Sequence, residues 1–280
     1  SITLNVGAQT SGPKTVFWEI SGNGLEKSSY LFGTIHILPK SEFVAFELAD
    51  EKLAECEQLI LEMEIDVPMK TQMEWAKQLM LPEGTTIPDF MEEQDFIRLK
   101  SYALDSLKVK EFLFNAYLKM KPFAFYSALI PHVIGRKIEG YELHFSNLAK
   151  KGKIPVVGLE TFEFQLSIFD SIPNETQMKM FFDEEMDLQS ELEEMLEMYR
   201  SQDIYSMAES LSEESDLYAE FETELLIKRN HSWAEQLPEM MNQKPSFIAV
   251  GAGHLAGENG LIKLLREKGF IVEPLILIKD

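Results

Sequence analysis

The sequence contains two short segments that share one pattern, a run of strand-forming residues that ends in Gly-x-x-His. The first copy is Gly33-Thr34-Ile35-His36 near the start of the chain, and the second is Gly251-Ala252-Gly253-His254 near its end. Each copy is followed by a helical pattern and then by a new apolar strand. A repeated unit with the same special residue at the same structural point constrains both fold and function.

The two units predict an α/β fold with a central mixed β-sheet. Ahead of the first histidine, two strand-like runs around a Gly/Asn-rich turn at 21–24 indicate a hairpin. The chain between the two units, about 69–243, is mainly helical and predicts a large helical insertion. We therefore expect a flexible lead-in at 1–15, followed by a single domain over 16–280.

Composition excludes several classes of partner. Lys and Arg number 26 and Asp and Glu number 47, which gives a net charge of −21 and makes nucleic acid and anionic membranes poor partners. No apolar run approaches the length of about 20 residues that a membrane span needs. Cys56 is the only cysteine, so neither an intrachain disulfide nor a cysteine-based zinc site can form. The partner class that composition leaves is a peptide or small-molecule substrate. Composition does not determine the oligomeric state.

Four side chains with metal-binding chemistry are predicted at strand ends. His36 and His254 end the two repeated motifs, Glu62 lies in the apolar strand after the first motif, and Glu160 follows a short strand at 154–159. Ligand groups in parallel sheets collect at such carboxyl ends. Divalent Zn, Mn or Co accepts this set of N and O ligands, and could polarise a carbonyl while a spare glutamate acts as base. The alternative for Glu62 is the solvated face of an edge strand.

Further polar and small residues are candidates for substrate contacts. The glycines of the two motifs, Gly33 and Gly251, would let the backbone approach a metal or substrate closely. Gln165 lies one helical turn past the short middle strand, and Arg229 and Asn230 directly follow an apolar helical run. Arg229 is either exposed on its helix or aimed into the site as a partner for a carboxylate or an oxyanion. We predict substrate contacts for the two glycines, Gln165 and Asn230.

These residues also carry a resemblance to a known family. The segments 30–36, 61–62, 158–161 with Gln165, 228–230 and 250–255 resemble the TraB/PrgY/GumN family, which includes the Tiki proteases. The similarity extends from about Val16 to Leu275. One departure is visible, because Gly140-Tyr141-Glu142 stands where we expect Gly-x-Asp, and this weakens any role assigned to that acid.

The resemblance implies a metal-dependent hydrolase, with peptidase as the favoured class and Mn or Co favoured over Zn. Carried over by position, His36, His254 and Glu160 would bind the metal. Glu62 would be the acidic catalytic partner, and Arg229 would orient groups or stabilise the transition state. In the Tiki branch the implied reaction trims an amino-terminal segment of a secreted signal.

The resemblance also implies a location and leaves two rival functions. Many bacterial members carry a secretion leader, so we expect an extracytoplasmic protein, periplasmic, secreted or surface-attached, whose leader has been removed before Ser1. The first rival is a non-catalytic protein that sequesters a peptide or small ligand, as in the pheromone-shutdown branch. The second is an esterase that acts on a non-peptide substrate, because erythromycin esterases resemble this family distantly.

Overall fold

The computed structural model describes residues 12–135, 137–182, 187–212 and 223–277. The chain divides into two compact units. The sheet unit contains Ser1–Ile65, Glu139–Glu160 and Glu194–Asp280, and the helical unit contains Asp66–Ile138 and Thr161–Glu193. Residues 1–11 of the predicted lead-in lie outside the described residues. The single domain over 16–280 stays a prediction.

The strands confirm the predicted mixed sheet. They are β1 (Phe17–Gly22), β2 (Ser29–Thr34), β3 (Leu38–Pro39), β4 (Gln58–Met63), β5 (Ile138–Glu139), β6 (Val156–Glu160), β7 (Ser246–Gly251) and β8 (Phe270–Leu275). Six of them form one sheet in the order β6-β4-β7-β2-β1-β8, and all six belong to the sheet unit. Strands β6, β4, β7 and β2 are parallel, whereas β1 is antiparallel to both β2 and β8.

The helices occupy the segments between these strands. They are α1 (Glu47–Glu55), α2 (Met69–Gln78), α3 (Glu93–Ser101), α4 (Glu111–Tyr117), α5 (Pro122–Val133), α6 (Tyr141–Gly152), α7 (Phe162–Asp170), α8 (Asn174–Phe181), α9 (Leu188–Arg200), α10 (Ile204–Ser212), α11 (Lys228–Gln243) and α12 (Leu261–Glu267). Shorter helical turns cover Ile87–Phe90, Tyr102–Ser106, Thr223–Ile227 and Ala252–His254. Among the described residues, no helix combines the length and apolar character that crossing a membrane requires.

The two Gly-x-x-His units lie side by side in the sheet. Strand β2 is buried along its whole length and β7 along all but its last residue, as expected for parallel strands covered on both faces. The register places Gly33 opposite Val250 and Thr34 opposite Gly251. Both motifs therefore leave the sheet at neighbouring points of one edge.

Each unit has its own apolar core. In the sheet unit, the ring of Phe145 on α6 lies 4.9 Å from that of Phe32 and 4.8 Å from that of Phe247. In the helical unit, Phe114 and Phe125 are buried and pack edge to face. Phe114 and Phe125 therefore serve as helix packing, whereas Phe112 is exposed.

The only cysteine should be chemically inert in the folded protein. Cys56 ends α1 and is 5% exposed, and burial together with the charge of Glu55 raises the pKa of its thiol to about 12. Because the thiolate is the reactive form, we expect a thiol-specific reagent at pH 8 to modify native protein at least about a hundredfold more slowly than unfolded protein. Absorbance of the released chromophore measures both rates. Equal rates would contradict the buried position.

Candidate active site

The carboxyl ends of the four parallel strands bring together the predicted acidic and imidazole side chains. Glu62 lies near the end of β4, and Glu160 is the last residue of β6. His36 follows β2, and His254 ends the short helical turn after β7. Because these strands are neighbours in the sheet, residues far apart in sequence meet at one edge.

Glu62 is the centre of this group. Its side chain is buried, and its Oε1 accepts a hydrogen bond of 2.8 Å from the backbone N–H of Gly251. The same oxygen lies 3.7 Å from Nε2 of His254 and 4.0 Å from Nε2 of His36. Burial opposes ionisation of Glu62, but electrostatic interactions with His254, His36 and Arg229, together with the N–H of Gly251, outweigh it and lower the carboxyl pKa. Glu62 is therefore a carboxylate at neutral pH.

Arg229 joins the two glutamates. It lies in the first turn of α11, is 7% exposed, and donates from Nη2 to Glu62 Oε2 at 2.6 Å. Its Nε donates to both oxygens of Glu160, at 3.1 and 3.0 Å. Its guanidinium also stacks 4.7 Å from the ring of Trp233. This buried position favours the second interpretation of Arg229, an arginine aimed into the site.

Glu160 lies on the arginine side of the group. Besides Arg229, its Oε1 accepts a hydrogen bond of 2.8 Å from Nε1 of Trp233. Trp233, one helical turn after Arg229 on α11, is a site residue that the sequence reasoning missed. The metal-binding role of Glu160 stays a prediction.

Hydrogen bonding fixes the tautomer of His254. Asn230 donates from Nδ2 to the backbone oxygen of Asn259 at 2.9 Å, so its Oδ1 is the atom that faces Nδ1 of His254, at 2.6 Å. Nδ1 therefore carries the proton, and the lone pair of Nε2 faces Nη1 of Arg229 at 3.4 Å, with Glu62 Oε1 at 3.7 Å. Burial lowers the pKa of His254 to about 3, aided by the charge of Arg229. The imidazole is neutral at neutral pH.

His36 is held by Glu142. Nδ1 of His36 lies 2.7 Å from Glu142 Oε1, and the hydroxyl of Thr34 donates to the same oxygen. Glu142 raises the pKa of His36 to about 9 against the opposing effect of the partial desolvation of the ring. Burial also opposes ionisation of Glu142, but the charge and hydrogen bond of His36 lower its pKa. The His36 side chain is 59% exposed, so this histidine faces solvent.

Glu142 belongs to the segment in which the sequence departs from the family pattern, and the sequence reasoning underrated it. A Cβ atom on Gly140 would lie 2.8 Å from the carbonyl oxygen of His36. Glycine at this position therefore allows the close approach that lets Glu142 reach the imidazole. The Gly-x-acid pattern at the start of a helix is the sequence feature that could have indicated Glu142 as a site residue.

Glu142 should control the titration of His36. In the metal-free protein we expect Glu142→Gln to lower the His36 pKa from about 9 towards the ordinary value of 6.5, measured by the imidazole NMR signals. Because the folded-state pKa is raised, the ion pair stabilises the fold below pH 6.5, and this contribution is lost as pH rises through about 9. The control Glu139→Gln removes a neighbouring carboxylate that binds Lys40 instead. Wild-type titration of His36 near pH 6.5 would contradict this prediction.

The remaining candidates are glycines and one glutamine. A Cβ atom on Gly33 would lie 2.9 Å from Cδ2 of Leu255 and 3.0 Å from Cα of Ala252, so glycine lets β2 pack against the second histidine motif. A Cβ on Gly251 would approach Glu62 Oε1 to 3.2 Å. Gln165 lies half-buried on α7 in the helical unit. The substrate contacts of these residues and of Asn230 stay predictions.

The donor chemistry of His36, Glu62 and His254 fits a divalent metal. Both histidines bind an acceptor through Nδ1 and direct Nε2 towards Glu62 Oε1, which is the usual arrangement of metal-bound histidines. Donors about 2.1 Å from a tetrahedral ion lie roughly 3.4 Å apart, slightly closer than the 3.7 and 4.0 Å found here. Within the described part of the chain, no three such side chains are close enough to enclose an ion. Binding would therefore require small inward shifts.

Fold and site together define an α/β protein with a histidine–glutamate–arginine centre at the carboxyl ends of its parallel strands. The chain belongs to the TraB/PrgY/gumN family, whose sequence profile matches residues 16–274. This match confirms the resemblance read from the motifs.

Two relatives are metalloproteases by name. The chain is 22% identical to Metalloprotease TIKI1 of Danio rerio over 329 aligned positions, which cover 95% of this chain and 65% of the relative. It is 38% identical to Metalloprotease TIKI2 of Xenopus tropicalis over 65 residues, 22% of this chain and 12% of the relative. The chain thus spans less than two thirds of the length of either relative.

Proposed function

We propose that this protein is a metal-dependent hydrolase, with peptidase as the favoured class, and that it acts on an extracytoplasmic substrate. The observation that carries the proposal is the position of His36 and His254, whose Nε2 atoms both lie within 4.0 Å of Glu62 Oε1. Family membership and the metalloprotease names of two relatives support the same activity.

The proposal assigns each residue a separate task. His36, His254 and Glu62 would hold the ion, with Mn or Co favoured over Zn, and a cation bound there would polarise the carbonyl of the substrate. Glu160 would hold Arg229, which in turn fixes Glu62, since both glutamates form ion pairs with this arginine. A glutamate whose pKa is lowered is a weak base, so we assign Glu62 as a ligand of the ion and not as the acidic catalytic partner that the family resemblance implies.

The protonation of His36 makes the proposed metal binding depend on pH. Because Glu142 raises the pKa of His36 to about 9, the imidazole is protonated at neutral pH without metal. An ion would have to displace that proton before His36 could bind it. Metal affinity should therefore increase as pH rises towards 9.

The test is metal content and calorimetric titration with Mn, Co and Zn. We expect one equivalent of Mn or Co to bind the wild type and the control His231→Ala, whose histidine is exposed and bonds Asn259. The double variant His36→Ala/His254→Ala should bind none. Wild-type binding would then justify a peptide-library cleavage screen, whereas a folded wild type that binds no metal would rule out this function.

A second function, non-catalytic binding of a peptide or small ligand, is favoured by one observation. Arg229 already lies between Glu62 and Glu160 and balances much of their charge without an ion. Ligand binding that survives in the double histidine variant would support this alternative. Turnover of esters without turnover of peptides would instead support the esterase.

A further inference from the structure

Strand β6 forms an open edge of the sheet beside the candidate active site. It pairs with β4 on one side only and is the last strand in the order of the sheet. Its final residue, Glu160, is bonded to Arg229 in the site. The strand therefore ends at the candidate active site.

The outward backbone groups of β6 can be assigned from its register. Leu59 lies opposite Val156, and its N–H donates to the carbonyl oxygen of Pro155 at 2.9 Å. Successive residues of a strand direct their N–H and C=O groups to opposite sides. The N–H and C=O groups of Val156 and Gly158 therefore point away from β4. Among the residues that the structure describes, nothing hydrogen-bonds to these outward groups. Gly158 is exposed, so solvent reaches the backbone itself.

The two edges of the sheet differ in their protection. Exposed edges are normally blunted by proline, charged side chains or bulges, because open backbone groups pair with other chains. Strand β8, the opposite edge, contains Glu273 and Pro274, and proline cannot donate a backbone hydrogen bond. Strand β6 has the sequence Val-Val-Gly-Leu-Glu and carries neither proline nor a charge before its last residue.

We propose that β6 is a docking strand for an extended segment of a peptide substrate. The inference deepens the proposed function, because it names a peptide in strand conformation as the substrate class. Main-chain hydrogen bonds to Val156 and Gly158 would provide affinity that depends little on sequence. A second copy of this chain is a less suitable occupant, since the net charge of −21 opposes self-association.

The spacing of the sheet predicts the length of the bound peptide. A strand added beside β6 would lie two strand spacings from β4 and three from β7, or about 10–14 Å. An extended chain crosses that distance in roughly three or four residues. About five docked residues plus this crossing give a minimum of roughly eight residues, counted from the far end of the docked segment to the cleaved bond.

A binding experiment in EDTA tests docking separately from hydrolysis. The probe is a cysteine-free pool of fluorescein-labelled twelve-residue random peptides, measured by fluorescence anisotropy at 0.15 M salt. Val156→Pro removes one outward donor and leaves the ladder to β4 intact, whereas the control Val156→Thr keeps the donor. We expect wild type and Val156→Thr to bind alike and Val156→Pro to bind at least about tenfold more weakly.

A chemical change in the peptide probe tests docking on the wild type, so the result does not depend on whether the proline variant folds. A second pool is N-methylated at every second residue and therefore lacks the N–H donors along one side of an extended peptide. It should bind wild type at least about tenfold more weakly than the first pool. Equal binding of both pools, equal binding by a folded Val156→Pro, or no binding to wild type would overturn the docking strand. Binding that passes these tests without any peptide cleavage supports docking and counts only against the hydrolase.

Discussion

Replacing Arg229 with methionine should lower the free energy of unfolding by about 3–5 kcal/mol, the largest effect that we expect of any single substitution in this site. Arg229 is the buried cation between Glu62 and Glu160, and its removal leaves two buried carboxylates without their counter-charge. Methionine keeps the length and apolar packing of the side chain, so the lost charge accounts for the effect. Chemical denaturation followed by circular dichroism measures it.

Two further variants separate charge from packing. Arg200 also contacts two carboxylates, Glu42 and Glu197, but it is more exposed, so Arg200→Met should cost no more than about 1 kcal/mol. Adding Glu160→Gln to Arg229→Met should recover part of the loss, because one unpaired charge is then removed. If Arg229→Met cost as little as Arg200→Met, the buried charge network would not stabilise the fold.

Gly251→Ala should weaken metal binding strongly while leaving the fold largely stable. A Cβ atom there would lie 3.2 Å from Glu62 Oε1, 3.5 Å from Cδ2 of His254 and 3.8 Å from Nε2 of His36, in the space that the three proposed ligands share. The backbone at Gly251 has φ −50° and accepts alanine without strain. We expect at least about a tenfold loss of Mn affinity by calorimetry, with a stability cost of no more than about 2 kcal/mol.

The matched control is Gly152→Ala at the end of α6. The added methyl would there meet only the side chain of Ile154, at an ordinary contact distance of 3.4 Å. This variant should bind metal like the wild type. An unchanged Mn affinity in Gly251→Ala would place the ion elsewhere and contradict the proposed ligand set.

The network also explains how a strongly acidic chain can bury several charges at one point. Arg229 offsets one of the two negative charges of Glu62 and Glu160 within a few ångströms, and His254 remains neutral because burial lowers its pKa. Within this site, the ion pair between His36 and Glu142 is the one that reaches solvent, because the His36 side chain is 59% exposed. Under the proposed function, a substrate or an ion would meet this solvent-facing histidine first.

The local features of this protein follow from its sequence alone. The hairpin of β1 and β2 is encoded by alternating strand residues around Gly22, Asn23 and Gly24, whose positive φ angles of 75°, 45° and 86° form the turn. The two Gly-x-x-His motifs are equally local, since a strand followed by glycine and histidine places the imidazole at the strand end. The mixed sheet and the family membership could be predicted for this reason.

The partners of the buried charges were decided only by the tertiary structure. The Gly-x-acid pattern marks Glu142 but does not identify His36 as its partner, and nothing near Glu160 in sequence indicates that Arg229 and Trp233 bind it. These contacts join segments that meet only once parallel strands distant in sequence are neighbours. A residue pattern encodes the strand and its turn, but the choice of counter-charge depends on which distant segment packs there and excludes water.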